Sequence, residues 1–401
     1  MSLNSTPNGE RVHIGIFGKR NAGKSSLINA ITNQSLAVVS DVAGTTTDPV
    51  SKAMEILPLG PVLITDTPGF DDDGELGKLR VEKSYDTLRK VNIVILVVSS
   101  DSNISIEEKE FLDEVIKRNL PYIICINKSD IFNIEEITSK YAKEPYFEKI
   151  VFVSALTGYG IETLKERLSS FDYSTNEKHV ISDLVEFGDT VVLVVPIDES
   201  APKGRLILPQ QQVIRDLLEA GVTAVVTRET ELADTLNKLT KKPKVVVTDS
   251  QAFKFVAGIV PEDVYLTSFS ILMARYKGDL DWQVSGAKAI DSLKDGSKVL
   301  ISEGCTHHRQ CADIGTVKLP SWIKGYTNKS ISFEFTSGTE FPKDVSKYDL
   351  IIHCGGCTLN EKEMRYRIDI AKEAGVPITN YGVVISYING ILERSLRLLT
   401  I

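Results

Sequence analysis

The chain has 401 residues, of which 42% are hydrophobic and 25% charged; at roughly 150 residues per domain that length predicts two or three domains, each able to bury a core. No apolar run is long enough to span a bilayer, and the opening MSLNSTPNGERV carries neither an apolar nor an Arg/Ser-rich leader, so a cytoplasmic location and no membrane partner are expected. With 46 Lys and Arg against 54 Asp and Glu the formal charge is -8, which argues against nucleic acid as a broad partner.

Residues 11 to 170 alternate strand-like runs (RVHIGIFG, VLITDT, VNIVILVVS, YIICIN, IVFVSA) with helix-like ones (SSLINAIT, EEKEFLDEVIKR, IETLKERLS). This is the α/β pattern of a doubly wound parallel sheet. Directly after the first strand, Gly18-Lys19-Arg20-Asn21-Ala22-Gly23-Lys24-Ser25 matches G-x4-G-K-S/T in the strand-to-helix context that a phosphate loop requires, and Ser26 follows on the expected helix. Backbone N–H groups of such a loop should cradle phosphates. Lys24 should reach the β and γ oxygens, and the Ser25 hydroxyl should ligate Mg2+.

Three further elements follow in order, each on a strand end. Asp66-Thr67-Pro68-Gly69 places a carboxylate to hold Mg2+ through water and, at Gly69, an N–H to sense the γ-phosphate. In Asn127-Lys128-Ser129-Asp130 the Asp130 carboxylate can accept from the N1–H and exocyclic amine that guanine has and adenine lacks, so it selects GTP. Ser154-Ala155-Leu156 is a small-residue loop of the kind that closes over guanine.

Taken together, the four elements make residues 11 to 170 resemble the Era/MnmE-like branch of translation-factor-type small GTPases. The resemblance implies a GTP-hydrolysing P-loop domain in which Gly44-Thr45-Thr46-Thr47-Asp48 forms the first switch, with Thr46 sensing Mg2+ and Thr47 in place of the usual Arg. It also implies that Asn21 coordinates K+ beside the phosphates, where a cation neutralises developing charge as an arginine finger would. Phe70 stands where Ras-like enzymes carry the water-orienting glutamine, so hydrolysis is expected to be slow and to depend on K+, a rearranged switch or a partner, with Lys24, Thr46 and Asn21 as the catalytic set. Asp71, Asp72 and Asp73 read as a solvated loop.

Polar STNEKH at 174 to 179 breaks the periodicity, and 171 to 181 reads as a linker. TVVLVVPID, PQQQVIRDLLEAG, VTAVVTR, ETELADTLNKLTKK and KVVVTD then compose a second, smaller α/β unit. No nucleotide-type glycine loop follows its strands, so it reads as a packing or self-association module.

From about 266 the order is helix (SFSILMARYK, then WQVSGAKAIDSL), strand (SKVLIS), loop, strands (SISFEF, YDLIIH), helix (EKEMRYRIDIAKEAG), short strand (VPITN) and a closing helix (SYINGILERSLRLL). Cys305-Thr306-His307-His308 follows one strand and His353-Cys354-Gly355-Gly356-Cys357 another, so the two clusters converge if those strands are neighbours. The glycines between Cys354 and Cys357 permit the turn that brings both thiolates to one metal or cluster. An odd count of five cysteines argues against structural disulfides. Zinc would use Cys3His, whereas an iron–sulfur cluster would use three thiolates and leave one iron for a histidine, a carboxylate, water or an outside ligand; spacing leaves both open. Cys125 reads as a core residue and Cys311 as a plain thiol.

The pairing of this GTPase with C-x-H, a gap of 45 residues and H-C-x2-C, together with C-T-H-H-R-Q, D-I-G and V-P-I-T-N-Y-G, resembles the HydF family of FeFe-hydrogenase maturation GTPases over essentially the whole chain. The resemblance implies a GTPase domain at 1-172, a dimerisation domain at 180-264 and a domain at 265-401 that binds a 4Fe-4S cluster through Cys305, Cys354 and Cys357. His307 or His353 would be the fourth ligand or a support to the ligands, and Cys311 departs from the family pattern. The implied protein is a homodimeric scaffold that holds a transient diiron precursor, made with radical-SAM maturases, and delivers it to apo FeFe-hydrogenase. Two other classes compete: a GTPase of RNA modification or ribosome assembly with a structural zinc or cluster, and a redox enzyme. The acidic charge and the absence of a basic, aromatic-studded platform weigh against the first, and the absence of a flavin or similar motif against the second.

Overall fold

The computed structural model describes residues 6–32, 50–57, 59–69, 75–131, 133–171, 178–197, 206–304, 313–338 and 340–400. Contacts divide the chain into two compact units, Met1–Thr175 and Asn176–Ile401.

In the first unit, strands β1 (Val12–Phe17), β2 (Val50–Ile56), β3 (Gly60–Asp66), β4 (Ile93–Ser99), β5 (Tyr122–Asn127) and β6 (Ile150–Phe152) form one sheet in the order β2-β3-β1-β4-β5-β6. Helices cover both faces, so β4 is buried along its whole length and reads as an unbroken apolar run. Four neighbouring pairs are parallel, as expected, but β2 lies antiparallel on β3. Its sequence VSKAMEI is exposed at every second position or more, the mark of an edge strand, and lacks the apolar run that announces its neighbours. Helices Glu75–Leu88 and Ile134–Tyr141 are likewise too charged to stand out in the sequence. From β1 the connections run to β3 on one side and β4 on the other, so the loop after β1 opens at a topological switch point.

The second unit contains two wholly parallel four-stranded sheets. Strands β7 (Thr190–Val194), β8 (Thr223–Thr227), β9 (Val245–Thr248) and β10 (Tyr265–Ser268) run in the order β10-β9-β7-β8. Strands β11 (Lys298–Ser302), β12 (Ser332–Thr336), β13 (Leu350–His353) and β14 (Ile378–Asn380) run in the order β12-β11-β13-β14.

One helix, Phe269–Lys277, ties the two sheets together. It leaves β10 under a cap in which Ser268 Oγ accepts from Ile271 N at 3.2 Å. Its Ser270 then accepts from Asn380 Nδ2 through the carbonyl (2.7 Å) and from Gly382 N through the hydroxyl (3.1 Å). The end of the chain returns to the earlier sheet: Leu398 packs in one core with Leu193, Val247 and Phe269, and Arg394 donates to the carbonyls of Ala257, Val260 and Pro261.

The linker enters this unit under a clamp. The Asp216 carboxylate accepts from the N–H groups of Ile181 and Ser182 and from the Ser182 hydroxyl, each at 2.8 Å. Arg275 forks onto Asp183 and donates to the His179 carbonyl at 3.2 Å, while Lys178 pairs with Glu361.

Two sequence expectations change here. Where a loop was expected between β11 and β12, a π-helical turn Ile314–Lys318 runs into helix Leu319–Thr327. Its proline, Pro320, sits in the first turn, where a missing N–H does no harm. The single closing helix is two, Tyr381–Ile388 and Leu392–Leu396, separated at Asn389-Gly390.

Candidate nucleotide and metal sites

The loop after β1 has the backbone of a phosphate cradle. Asn21 adopts φ +59° and Gly23 φ +90°, and a Cβ at Gly23 would lie 2.2 Å from Asn127 Nδ2, so only glycine fits there. Lys24, 9% exposed, donates to the carbonyls of Gly18 (3.0 Å) and Lys19 (2.8 Å), which curls its ammonium into the loop's own cavity. Lys19 itself turns outward to pair with Glu107 at 3.4 Å, and Arg20 lies beside it on the loop. At the end of β3 the Asp66 carboxylate accepts from Ser25 Oγ at 2.6 Å. Its second oxygen is buried without a hydrogen-bond partner, and burial raises its pKa against the pull of Ser25 and Lys24. A buried, half-satisfied carboxylate touching a serine hydroxyl fits a divalent cation, which would supply the missing charge. Gly69 follows at the edge of the described segment.

Asn127 joins the phosphate end to the base end. Its Nδ2 donates to Ala22 O at 2.9 Å and its Oδ1 accepts from Ala155 N at 3.1 Å, so one buried side chain spans both loops. Lys128 turns the chain at φ +61°. A cleft of about 250 Å³ is lined by Gly23, Ser26, Lys128, Asp130, Ser154 and Leu156, with Ala155 in its wall. Ile131, more than half exposed, also lines it, a contact signalled by nothing in the residue pattern beyond its place after Asp130. Thr46, Phe70 and the acidic 71–73 run lie outside the described residues. Cys125 is fully buried within β5, and burial pushes its thiol far up.

In the second unit β11 and β13 pair directly, with Ser302 opposite His353. Sheet order reverses between these two strands, so their carboxyl ends meet at a topological switch point. Cys305, His307, His308 and Cys311 lie outside the described residues. Gly304, immediately before Cys305, donates its N–H to Cys354 Sγ at 3.0 Å, and Gly356 N donates to the same sulfur at 3.4 Å. Gly356 turns at φ +62°, and a Cβ there would meet Met364 Sδ at 2.5 Å. Burial, with the Cys354 thiol beside it, pushes Cys357 up to about 11, and the Lys277 ammonium opposes the shift. Paired thiols with amide N–H groups aimed at sulfur fit a thiolate-held metal or cluster. Among the described residues alone, no three His, Cys, Asp or Glu groups gather to hold a metal.

Around the thiols, His353 is buried and both ring nitrogens are engaged: Nε2 with Arg367 Nη1 at 2.9 Å and Nδ1 with the Cys354 carbonyl at 2.7 Å. Arg367 cannot give up its proton, so Nε2 accepts and Nδ1 carries the hydrogen. In this arrangement the ring braces the Cys354 peptide and has no nitrogen to spare for a metal. Arg367 is fully buried and also donates to Glu363 Oε1, Ser302 Oγ and the Gly338 carbonyl. Tyr381 donates to Glu303 Oε1 at 3.3 Å; burial, then the nearby Cys354 and Glu303, hold its phenol protonated well above the usual range. Arg367, Lys277, Glu303 and Tyr381 escaped the sequence reading because nothing in their local pattern marks them as buried.

The class defined by this fold and these loops is a P-loop GTPase domain followed by further α/β domains. A model described as 50S ribosome-binding GTPase matches residues 13–128, the hydrogen maturase F dimerization domain matches 180–278, and the hydrogen maturase F tetramerization domain matches 281–398. The last two together cover more than half of the chain, and the chain belongs to the hydrogen maturase F family. Among curated relatives, GTPase Der of Kosmotoga olearia is 34% identical over 40% of this chain and 38% of its own length. The tRNA modification GTPase MnmE of Clostridioides difficile is 34% identical over 41% of this chain and 35% of its own. The chain thus spans little more than a third of the length of these relatives. Among solved structures, Era of Aquifex aeolicus bound to GDP and AlF4- is 20% identical, covers 53% of this chain and 91% of its own, and has a TM-score of 0.36.

Proposed function

We propose that the protein is a GTP-hydrolysing scaffold of hydrogenase maturation that carries a 4Fe-4S cluster on Cys305, Cys354 and Cys357 and assembles or delivers a diiron precursor to apo FeFe-hydrogenase. The observation that carries this reading is the direct pairing of β11 with β13, which sets the residue before Cys305 within hydrogen-bond distance of the Cys354 sulfur. The bound cluster would offer an incompletely ligated iron to which a precursor can attach and from which it can leave. His353 serves the site from behind, as a brace on Cys354, and leaves His307 as the histidine candidate for the fourth position. On the nucleotide side Ser25, Asp66 and Thr46 hold Mg2+, Lys24 and Asn21 with K+ neutralise the phosphates, and Asp130 selects guanine. Hydrolysis is slow, and its switch loops time contacts with radical-SAM maturases, the hydrogenase or the second subunit of a cytoplasmic homodimer.

Anaerobic reconstitution with iron and sulfide, followed by metal analysis and EPR of the reduced protein with and without imidazole or cyanide, tests the reading. A 4Fe-4S signal that shifts with the added ligand is expected. Tightly bound zinc and no reducible cluster would point to a GTPase with a structural metal domain, the reading favoured by likeness to MnmE alone. For the nucleotide half, replacing Asn21 should abolish any difference between K+ and Na+ in the GTPase rate; a persisting difference rejects it as the K+ ligand.

A further inference from the structure

Lys277 is the last residue of helix Phe269–Lys277 and is 2% exposed. Its ammonium donates to the carbonyl oxygens of Cys357 at 3.2 Å and Leu359 at 3.0 Å, one on each side of Thr358. The same helix runs along the turn between the two cysteines: a Cβ at Gly355 would meet Ser270 Oγ at 3.8 Å and Met273 Cβ at 3.9 Å. A buried ammonium is expensive to desolvate and is held in place by the polar groups brought to it, the two loop carbonyls among them. A cluster on three thiolates brings net negative charge to this place, and in a low-dielectric interior a fixed cation beside it interacts far more strongly than at the surface.

We propose that Lys277 is a positioning residue that holds the Cys354–Leu359 loop and acts as the fixed counter-charge of the cluster bound there. The proposal rests on the reading of Cys305, Cys354 and Cys357 as cluster ligands. A one-electron reduction adds negative charge to the cluster, so the ammonium favours the reduced form and raises the reduction potential. The two carbonyl contacts also fix the exit of the loop, where Leu359 N already closes a turn onto the Gly356 carbonyl at 3.0 Å.

The test uses the full chain with Lys277→Met, Lys277→Gln and Lys277→Arg. The reconstituted proteins are titrated anaerobically with dithionite as electron donor and followed by EPR; the metal-free proteins are followed by amide exchange at Gly356 and Leu359. Methionine should lower the potential and speed exchange at both amides tenfold or more. Glutamine, which keeps a donor without the charge, should lower the potential while retaining part of the protection, and arginine should keep the potential near that of the parent. An unchanged potential in both neutral variants overturns the counter-charge role, and unchanged exchange in the methionine variant overturns the positioning role. Should the methionine variant fail to fold, the glutamine and arginine variants decide both points. If the parent protein itself takes up no cluster, the scaffold reading and the counter-charge role fall together, while exchange in the metal-free chain still decides whether Lys277 holds the loop.

Discussion

At the scale of single residues, the second unit invests in buried charge. Arg367 is 0% exposed and its partner Glu363 side chain 4% exposed, with 2.9 Å between them. Removing one member of such a pair strands the other, a loss of about 3–5 kcal/mol, whereas removing both can be nearly neutral. Arg367→Met should therefore destabilise this unit strongly, and adding Glu363→Leu should recover the part due to the stranded carboxylate, leaving the part due to the His353, Ser302 and Gly338 acceptors that lose their donor. Both tryptophans, Trp282 and Trp322, lie in this unit, so fluorescence-monitored urea unfolding reads it separately from the GTPase unit. Such residues were invisible in the sequence for a physical reason. Arg367 sits in EKEMRYRIDIAKEAG among charges that mostly face water, and only tertiary packing decides which one turns inward. The phosphate-loop and cysteine motifs were legible because their spacing is itself the local geometry.

At the scale of elements, strands covered on both faces announced themselves as apolar runs, while β2 and the charged helices did not. The helix after the cysteine turn begins at Asn360, whose side chain accepts from Glu363 N at 2.9 Å. That cap starts the helix one residue beyond the Leu359 carbonyl held by Lys277. Asn360→Ala should cost about 1 kcal/mol of stability in the same unfolding experiment. It should also speed alkylation of Cys357 in the metal-free protein by about fivefold, the factor that about 1 kcal/mol of local opening corresponds to. No change in either quantity would show that the turn is held from the lysine side alone.

At the scale of the whole molecule, the linker is the covalent connection between the two compact units. In the second unit it is fastened at once, by Asp216 to the backbone at Ile181 and Ser182 and by Lys178 to Glu361, which opens the helix after the cysteine turn. Asp216→Asn weakens both charge-assisted bonds, and exchange at the Ile181 and Ser182 amides should rise at least tenfold while exchange in β11 and β13 stays unchanged. A rise spread through both sheets would mean instead that the clamp is part of the global fold.

The interlocking of the two later sheets bears on how the protein can be divided. A fragment cut where one family model ends and the next begins, between 278 and 281, would retain every cysteine of the proposed cluster site. It would nevertheless lose Lys277 from beneath the turn and Ser270 from beside Asn380, and the complementary fragment would lose Leu398 from its core. Sequence order and physical order part company at this seam. Pieces made along it should be less soluble than the intact 176–401 unit, and the proposed cluster site is properly tested only in a piece that keeps both sheets.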